Sequence, residues 1–300
     1  MAPALSIITP CLNRQGMIAE AIESVRCQDF DDVEHIIVDG ASTDGTLEVV
    51  ARYPHLRVIS EPDLGLYDAL NKGLKLARGH VIGHLNSDDR YAPGCFGAVM
   101  AAFESEPQLD SVCGSAVLED EEGRKVVAEY RMAEHKDQSF TSALLGNPVI
   151  NARFFTRAFY ERCGGYDQAY PLTADRHFLV RAVRSGCRSR PLDLTVCHYR
   201  RHGGSLTYSG GADTARRLSR EYLAMAHVWL NDPSAPAELH RVCRQLEGEA
   251  LARMAWLCLR EGRVGATFAG LLSRDGRPTL APLISAAAAV THRVFMAGRR

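Results

Sequence analysis

The sequence predicts an α/β fold with a largely parallel sheet and helices on both faces, followed by a helical C-terminal part. Three observations predict it. Up to Asp89, short apolar runs rich in β-branched residues alternate with helix-spaced segments, the pattern of a parallel sheet covered by helices. Each apolar run ends in a polar cluster, as it does where ligands sit at the carboxyl ends of parallel strands. From Ala212 onward helical spacing dominates, broken at Pro233, Pro236, Gly262, Pro278 and Pro282.

Residues 5–9, Leu-Ser-Ile-Ile-Thr, read as a buried strand ended by Pro10. Ile18, Ala21, Ile22 and Val25 recur at helical spacing over residues 18–25. A second apolar run, residues 35–38, gives way to Asp39-Gly40-Ala41-Ser42-Thr43-Asp44-Gly45-Thr46, where Thr43 or Asp44 is placed to cap a helix over 47–51. Residues 56–59 make a third strand. Leu66, Ala69, Leu70, Gly73, Leu74 and Ala77 share one side of a helix over 66–77, which Gly79 ends. Residues 81–85 make the fourth strand.

Beyond Phe103 the pattern loosens. Residues 111–118 and 125–130 alternate as antiparallel strands around an acidic turn, and 153–155 reads as another strand. A turn over 163–167 precedes a helix over 174–185, with Phe178, Leu179, Ala182 and Val183 inward, and a late strand spans 192–199. A boundary near Gly210 divides a domain over residues 1–210 from a helical extension over 211–300.

With 300 residues, 46% of them hydrophobic, the chain has material for a full core in one large domain with an appendage. A formal net charge of −1 argues against a nucleic-acid partner, which calls for a basic excess. Nine cysteines without a C-x-x-C pair read as reduced thiols, so the expected location is cytoplasmic. The first ten residues lack the charged and long apolar regions of a signal peptide. No run approaches the ~20 apolar residues of a membrane span. Residues 280–300 join an apolar stretch to His292, Arg293, Arg299 and Arg300. That tail either packs on the preceding domain or makes a peripheral contact with the anionic inner face of a membrane.

Four polar segments, residues 10–14, 39–44, 61–65 and 86–89, follow the four strands and so converge on one sheet edge. No G-x-G-x-x-G follows the first strand, and no Walker-type loop is present. The last segment, Asn86-Ser87-Asp88-Asp89, carries the clearest chemistry. Adjacent carboxylates at the end of a buried strand repel each other and are costly to bury alone. A divalent cation, Mn2+ or Mg2+, relieves both problems, because hard cations prefer oxygen ligands. A solvated Asp-Asp turn is the other reading of these residues.

Further motifs stand in a recognisable order. They are Ile8-Thr9-Pro10-Cys11-Leu12-Asn13-Arg14, the segment Ile37-Val38 leading into Asp39 to Thr46, Ser60-Glu61-Pro62-Asp63-Leu64-Gly65-Leu66-Tyr67-Asp68-Ala69-Leu70-Asn71-Lys72-Gly73, Leu85 to Asp89, and Gly164-Gly165-Tyr166-Asp167 followed by Ala174-Asp175. Together they resemble the inverting glycosyltransferases of family 2, over about two thirds of the chain. The resemblance implies a three-layer GT-A fold, a nucleotide-sugar donor with UDP-sugars favoured, and a saccharide or lipid-linked saccharide acceptor in bacterial surface polysaccharide or glycolipid synthesis.

It also implies roles. Asp39 matches the acidic residue that accepts from the base, commonly a uracil N3–H; its plainer reading is an Asx-turn residue. Thr9, Pro10, Asn13 and Arg14 fall beside the diphosphate or base. Asp63, Asn71 and Lys72 flank the nucleotide, and Ser87 and Asp88 are further donor-binding residues. Asp88 and Asp89 match the acidic metal motif, in which one contacts the ribose and the other the cation, and relatives differ on which. His202 is a further cation or diphosphate ligand, and Arg200 or Arg201 is placed to face the diphosphate. Asp175 matches the general base that takes the proton from the acceptor hydroxyl. Its plainer reading is a first-turn carboxylate favoured by the helix dipole. Asp167 is the next candidate for the base.

The chain departs from the family's pattern at four places. Leu12 replaces an aromatic residue, Asn86 a third aspartate, Ala174 a glutamate, and Ile150-Asn151 a His-Gln pair before the Phe-Phe strand. Two other functions compete. A nucleotidyltransferase also uses a metal with paired aspartates, but would want a Gly-rich, basic loop near the first strand, which Pro10 to Arg14 does not supply. A non-enzymatic nucleotide- or sugar-binding partner would be expected to have lost Asp39, Asp88, Asp89 and Asp175, and all four are present.

Overall fold

The structure, a computed structural model, describes residues 2–123, 125–130, 139–205 and 211–262. The chain divides into two compact units, Met1–His202 and Gly203–Arg300.

In the first unit β1 (Leu5–Cys11), β2 (Val33–Asp39), β3 (Arg57–Ser60) and β4 (Val81–His84) alternate with α1 (Ile18–Arg26), α2 (Thr46–Val50) and α3 (Leu66–Leu76). There follow β5 (Arg90–Tyr91), α4 (Cys95–Ser105), β6 (Ser111–Glu119), β7 (Val126–Tyr130), α5 (Phe140–Leu145), β8 (Arg153–Thr156), α6 (Arg157–Cys163), α7 (Ala174–Arg184) and β9 (Ser189–Arg200). The strands form one sheet in the order β3-β2-β1-β4-β8-β6-β9-β5, with β7 paired to β6. Pairing is parallel from β3 through β4. β8 runs antiparallel to both β4 and β6, and β9 runs parallel to β6. β4, β6 and β9 therefore point the same way. Their C-terminal ends lie on the same edge as those of β1 and β2, which brings residues beyond Arg200 to the loop after β4.

Burial follows the sequence pattern. Ile18, Ala21, Ile22 and Val25 are the buried face of α1, and each fully buried Ile or Val side chain contributes roughly 1.5–3 kcal/mol. In α3, Gly73 lets the helix lie close on β1: a Cβ there would stand 2.3 Å from Ile8 Cγ2. β1 is a central strand yet contains Pro10. Its pairing with β4 stops at Ile8, so on that side no ladder bond is lost to the missing N–H. Phe154, Phe155, Phe159 and Phe178 are fully buried and join β8, α6 and α7, with Phe155 and Phe178 edge-to-face at 5.1 Å.

The strands and helices expected through β4 are present, with boundary shifts of a few residues. α4, α5, α6 and the short β5 were not expected. α4 buries Cys95, Phe96, Val99, Met100, Ala102 and Phe103, and so is apolar on too wide an arc to show an amphipathic period. All nine cysteines are unpaired, in line with the expected reduced thiols.

In the second unit α8 (Ala212–Leu230) and α9 (Ala237–Arg260) pack on each other across the Pro233–Pro236 break. Among the described residues no helix is long and apolar enough to cross a membrane. Pro278, Pro282 and the basic, apolar tail over residues 280–300 lie outside the described residues.

Candidate active site

The loop after β1 is laced to the loop after β2. Asn13 N donates to Ser42 Oγ at 2.8 Å, and Thr43 N donates to Asn13 Oδ1 at 2.9 Å. Arg14 N donates to Thr46 Oγ1 at 2.7 Å, and Gln15 N to Asp44 Oδ2 at 3.1 Å. Asn13 and Ala41 both have positive φ, 52° and 64°, and so mark the two bends of this belt. Asp44 also accepts from Thr46 N at 2.9 Å, an Asx turn leading into α2, whose N-cap is Gly45 and not the expected Thr43 or Asp44. The Arg14 side chain is half-buried and reaches Asn13 O at 3.3 Å. Thr9 and Pro10 are buried in β1, and Thr9 Oγ1 bonds His35 Nε2 at 2.9 Å, so its side chain serves the β1–β2 pair.

Asp39 closes β2 and is fully buried. Its register partners on either side are Cys11 and Ser60, the last residues of β1 and β3. Four donors meet its carboxylate: Cys11 Sγ at 3.6 Å, Ser60 Oγ at 2.6 Å, Ser42 N at 3.0 Å and the Ser42 hydroxyl. Burial alone would raise this carboxyl, but the Ser42 and Ser60 hydrogen bonds outweigh it and hold Asp39 below the ordinary carboxylate range. Asp63 accepts from Gly65 N at 2.8 Å and lies over Gly40, where a Cβ would stand 2.5 Å from Asp63 Oδ2.

Asn71 and Lys72 are engaged within the chain. Asn71 donates to Tyr166 O at 2.7 Å and accepts from Tyr166 N at 2.8 Å, a two-way clamp on the loop after Gly165. Lys72 Nζ donates to Pro62 O at 2.7 Å and pairs with Glu61 at 2.9 Å. Both hold loops around the sheet edge.

The adjacent aspartates part company. Asp89 is 2% exposed and accepts from Asn151 Nδ2 at 2.7 Å, Asn86 Nδ2 at 3.1 Å and Arg200 N at 3.0 Å. Burial, reinforced by the charge on Asp88, raises its pKa well above the usual value. Asp88 instead faces His202, with Asp88 Oδ2 and His202 Nε2 2.8 Å apart and both side chains largely buried. Ser87 is buried between the two aspartates and the strand. The Arg200 side chain pairs with Glu20, and His198 with Glu119 at 2.8 Å, so neither turns toward Asp88; Arg201 is exposed. Among the described residues no three His, Cys, Asp or Glu side chains cluster as an ion site by themselves. One carboxylate and one imidazole in contact at a strand end do fit a cation that takes its other ligands from a diphosphate. Asp89 fits a different part: it ties the end of β4 to the end of β9, which carries His202.

Asp175 is the second residue of α7, whose N-cap is Thr173. Arg176 N donates to its Oδ1 at 2.8 Å, and the Tyr67 hydroxyl hydrogen-bonds its carboxylate. Burial raises its pKa, against the lowering effects of Arg176 and Tyr67. The Tyr67 ring packs on Tyr166 at 5.3 Å, and Tyr166 Oη bonds His84 Nδ1 at 3.0 Å, at the end of β4. Burial lowers His84 to about 3, so it stays neutral. Asp167 lies 3.8 Å from His177 Nδ1, on the same helix as Asp175.

A model of glycosyl transferase family 2 matches residues 6–163, more than half of the chain. The chain belongs to this family. A PGL/p-HBAD biosynthesis glycosyltransferase of Mycobacterium bovis (strain BCG / Pasteur 1173P2) is 31% identical over 211 residues, covering 68% of this chain and 79% of that protein. The crystal structure of S. aureus TarS 1-349 in complex with UDP-GlcNAc superposes with a TM-score of 0.62 at 22% identity, over 84% of this chain and 72% of that one. The mannosyltransferase PcManGT from Pyrobaculum calidifontis, in complex with GDP-Man and Mn2+, gives 0.62 at 20% identity, over 97% and 81%. The fold is GT-A and the protein is a glycosyltransferase, which sets aside the nucleotidyltransferase and non-enzymatic readings.

Four residues of this site were not singled out from the sequence as contacts: Tyr67 on Asp175, Asn151 on Asp89, and Ser42 and Ser60 on Asp39. For Ser60 a signal existed, since it ends the strand beside Asp39. Tyr67 and Asn151 meet their partners only through tertiary packing.

Proposed function

We propose that this transferase is metal-dependent and inverting, and moves a sugar from a nucleotide-sugar donor to a saccharide or lipid-linked saccharide in bacterial surface polysaccharide or glycolipid synthesis. The observation that carries the reading is Asp175, a carboxylate made more basic by burial and oriented by Tyr67. Its carboxylate takes the proton of the acceptor hydroxyl as that oxygen attacks the anomeric carbon. The bond from the anomeric carbon to the diphosphate breaks on the opposite face, and the nucleoside diphosphate leaves with its electron pair.

The belt between the first two loops, with Asn13, Arg14 and Asp63, binds the nucleotide. Asp39 receives the base N–H in place of one of its present hydroxyl donors. UDP is the favoured nucleotide, supported by the UDP-GlcNAc complex of TarS, while the GDP-Man complex of PcManGT marks the alternative. Asp88 and His202 would hold Mn2+ or Mg2+, and a cation there supplies charge neutralisation for the leaving diphosphate. The Mn2+ complex of PcManGT supports that assignment. The catalytic domain is taken as residues 1–210 and the helical extension as 211–300. The enzyme works in the cytoplasm, with the C-terminal helices making a peripheral contact on the inner face of the membrane.

The test is release of UDP from UDP-GlcNAc in the presence of Mn2+, by slow hydrolysis. Release that stops with excess EDTA is expected. An undiminished rate in EDTA contradicts metal dependence, and no release from any UDP- or GDP-sugar contradicts the donor class.

A further inference from the structure

We propose that a cleft on the flank of the first unit, away from the strand ends, is a second binding site, for one or two units of a neutral saccharide belonging to the acceptor chain. The identity of that chain rests on the transferase reading above; the chemistry of the cleft does not. The cleft encloses about 750 Å³ between α3, α6, the loop after Gly165 and α7, within the range of small-ligand sites.

Its place separates it from the donor belt. Ile82, in its floor, pairs with Ser6 and Phe155 in the middle of the sheet. Arg157, at its far end, donates its N–H to His80 O before β4 begins. The cleft thus reaches from the middle of the sheet to the start of β4, whereas Asp39 and Asp88 stand at or beyond the C-terminal strand ends.

Its lining selects the ligand. Leu74, Ile82, Tyr160 and Tyr166 give an apolar floor. The rim carries both signs: Lys75 and Arg157 against Glu161 and Asp167, with the Gln168 amide between them. A phosphate would face two carboxylates, and an acyl chain would cover two cations. Sugar hydroxyls suit both, donating to carboxylates and accepting from cations and amides, while the C–H face of the ring lies on the floor. On the rim, the Gln168 amide N–H donates to Asp68 at 2.8 Å and Asp167 accepts from Ala169 N at 3.0 Å, while Arg157 and Glu161 are more loosely held. Arg157 and Glu161 come only to 4.0 Å, with their side chains 48% and 68% exposed. Arg181, also in the lining, keeps a buried Nε with no partner among the described residues.

The floor is also the back wall of the catalytic side. Tyr160 Oη lies 3.3 Å from Tyr166 Oη, and Tyr166 packs on the Tyr67 that holds Asp175. A saccharide seated here is held by the same aromatic wall that positions the base, as a chain would be whose reacting end lies at Asp175.

Saturation-transfer NMR on the full chain tests this, with chitotetraose, maltotetraose and mannotetraose as probes and with UDP and Mn2+ saturating the donor side. At least one probe should show transfer with UDP bound. Leu74→Trp, which fills the cleft, and the surface pair Glu161→Ala with Gln168→Ala should each weaken that probe by about fivefold or more, the equivalent of one lost hydrogen bond. UDP affinity and donor hydrolysis should not change in either variant. Three silent probes, a signal unaltered in the rim variant, or displacement of the probe by inorganic phosphate overturns the proposal. If UDP binds and the probes are silent, the cleft alone fails; if UDP does not bind, the donor reading fails.

Discussion

Asp39, fully buried, and Asp175, half-buried, are carboxylates in one unit of the molecule, and the fold moves their acidities in opposite directions. At Asp39 burial is outweighed by serine donors from the loop after β2 and the end of β3, and the carboxyl is held below the ordinary range. At Asp175 burial wins over Arg176 and Tyr67, and the carboxylate becomes a better base. Two things differ: Asp39 has more hydrogen-bond donors, and desolvation dominates at Asp175. A carboxylate ringed by hydroxyls and amides is suited to accepting a hydrogen bond without taking a proton. One with few donors is suited to taking the proton itself. The adjacent pair differs in another way: Asp89 has three donors that tie strands together, yet burial and the charge on Asp88 still raise it, while Asp88 faces His202.

Two substitutions sharpen this contrast. Asp175→Asn keeps the shape and removes the basic lone pair. Turnover should fall by roughly 10²–10⁴, the usual worth of a positioned base, with nucleotide affinity unchanged by calorimetry. Because Thr173 and not Asp175 is the N-cap, no compensating capping effect is expected. Asp39→Ala should do the reverse. Nucleotide affinity should weaken by roughly 1–3 kcal/mol, since a buried donor is left unpaired, while turnover at saturating donor changes far less. If the two variants lose the same parameter, the division between a binding half and a proton-transfer half breaks down.

The half proposed to bind the nucleotide was the more legible in the sequence. Its partners lie within short motifs: Asn13 and Arg14 meet residues of the Asp39–Thr46 segment, and parallel register sets Cys11, Asp39 and Ser60 side by side. Local turn chemistry and strand ends suffice to find such residues. The half proposed to carry the proton transfer depends on meetings that no local pattern encodes. Tyr67 reaches Asp175 across more than a hundred residues, and Asn151 reaches Asp89 from a short turn before β8. Asn151 stood out in the sequence only as a departure from the family, yet its amide holds the aspartate behind Asp88. The fold through β4 was readable because amphipathic helices alternate with apolar strands. α4 and α6 were not, since one is apolar nearly all round and the other spans only Arg157–Cys163.

The most direct test of the account is the pH dependence of kcat/KM for hydrolysis of the nucleotide-sugar donor. Asp175 must be ionised to take a proton, so activity falls as pH drops through its pKa. Because burial raises that pKa, the acidic limb should lie above 3.8, the ordinary aspartate value. Tyr67→Phe removes a hydrogen bond that favours the ionised form, so its limb should move to still higher pH. Asp175→Asn should have lost the limb from its residual activity. A limb at or below 3.8 in the wild type, or the same limb retained in Asp175→Asn, would show that another group takes the proton.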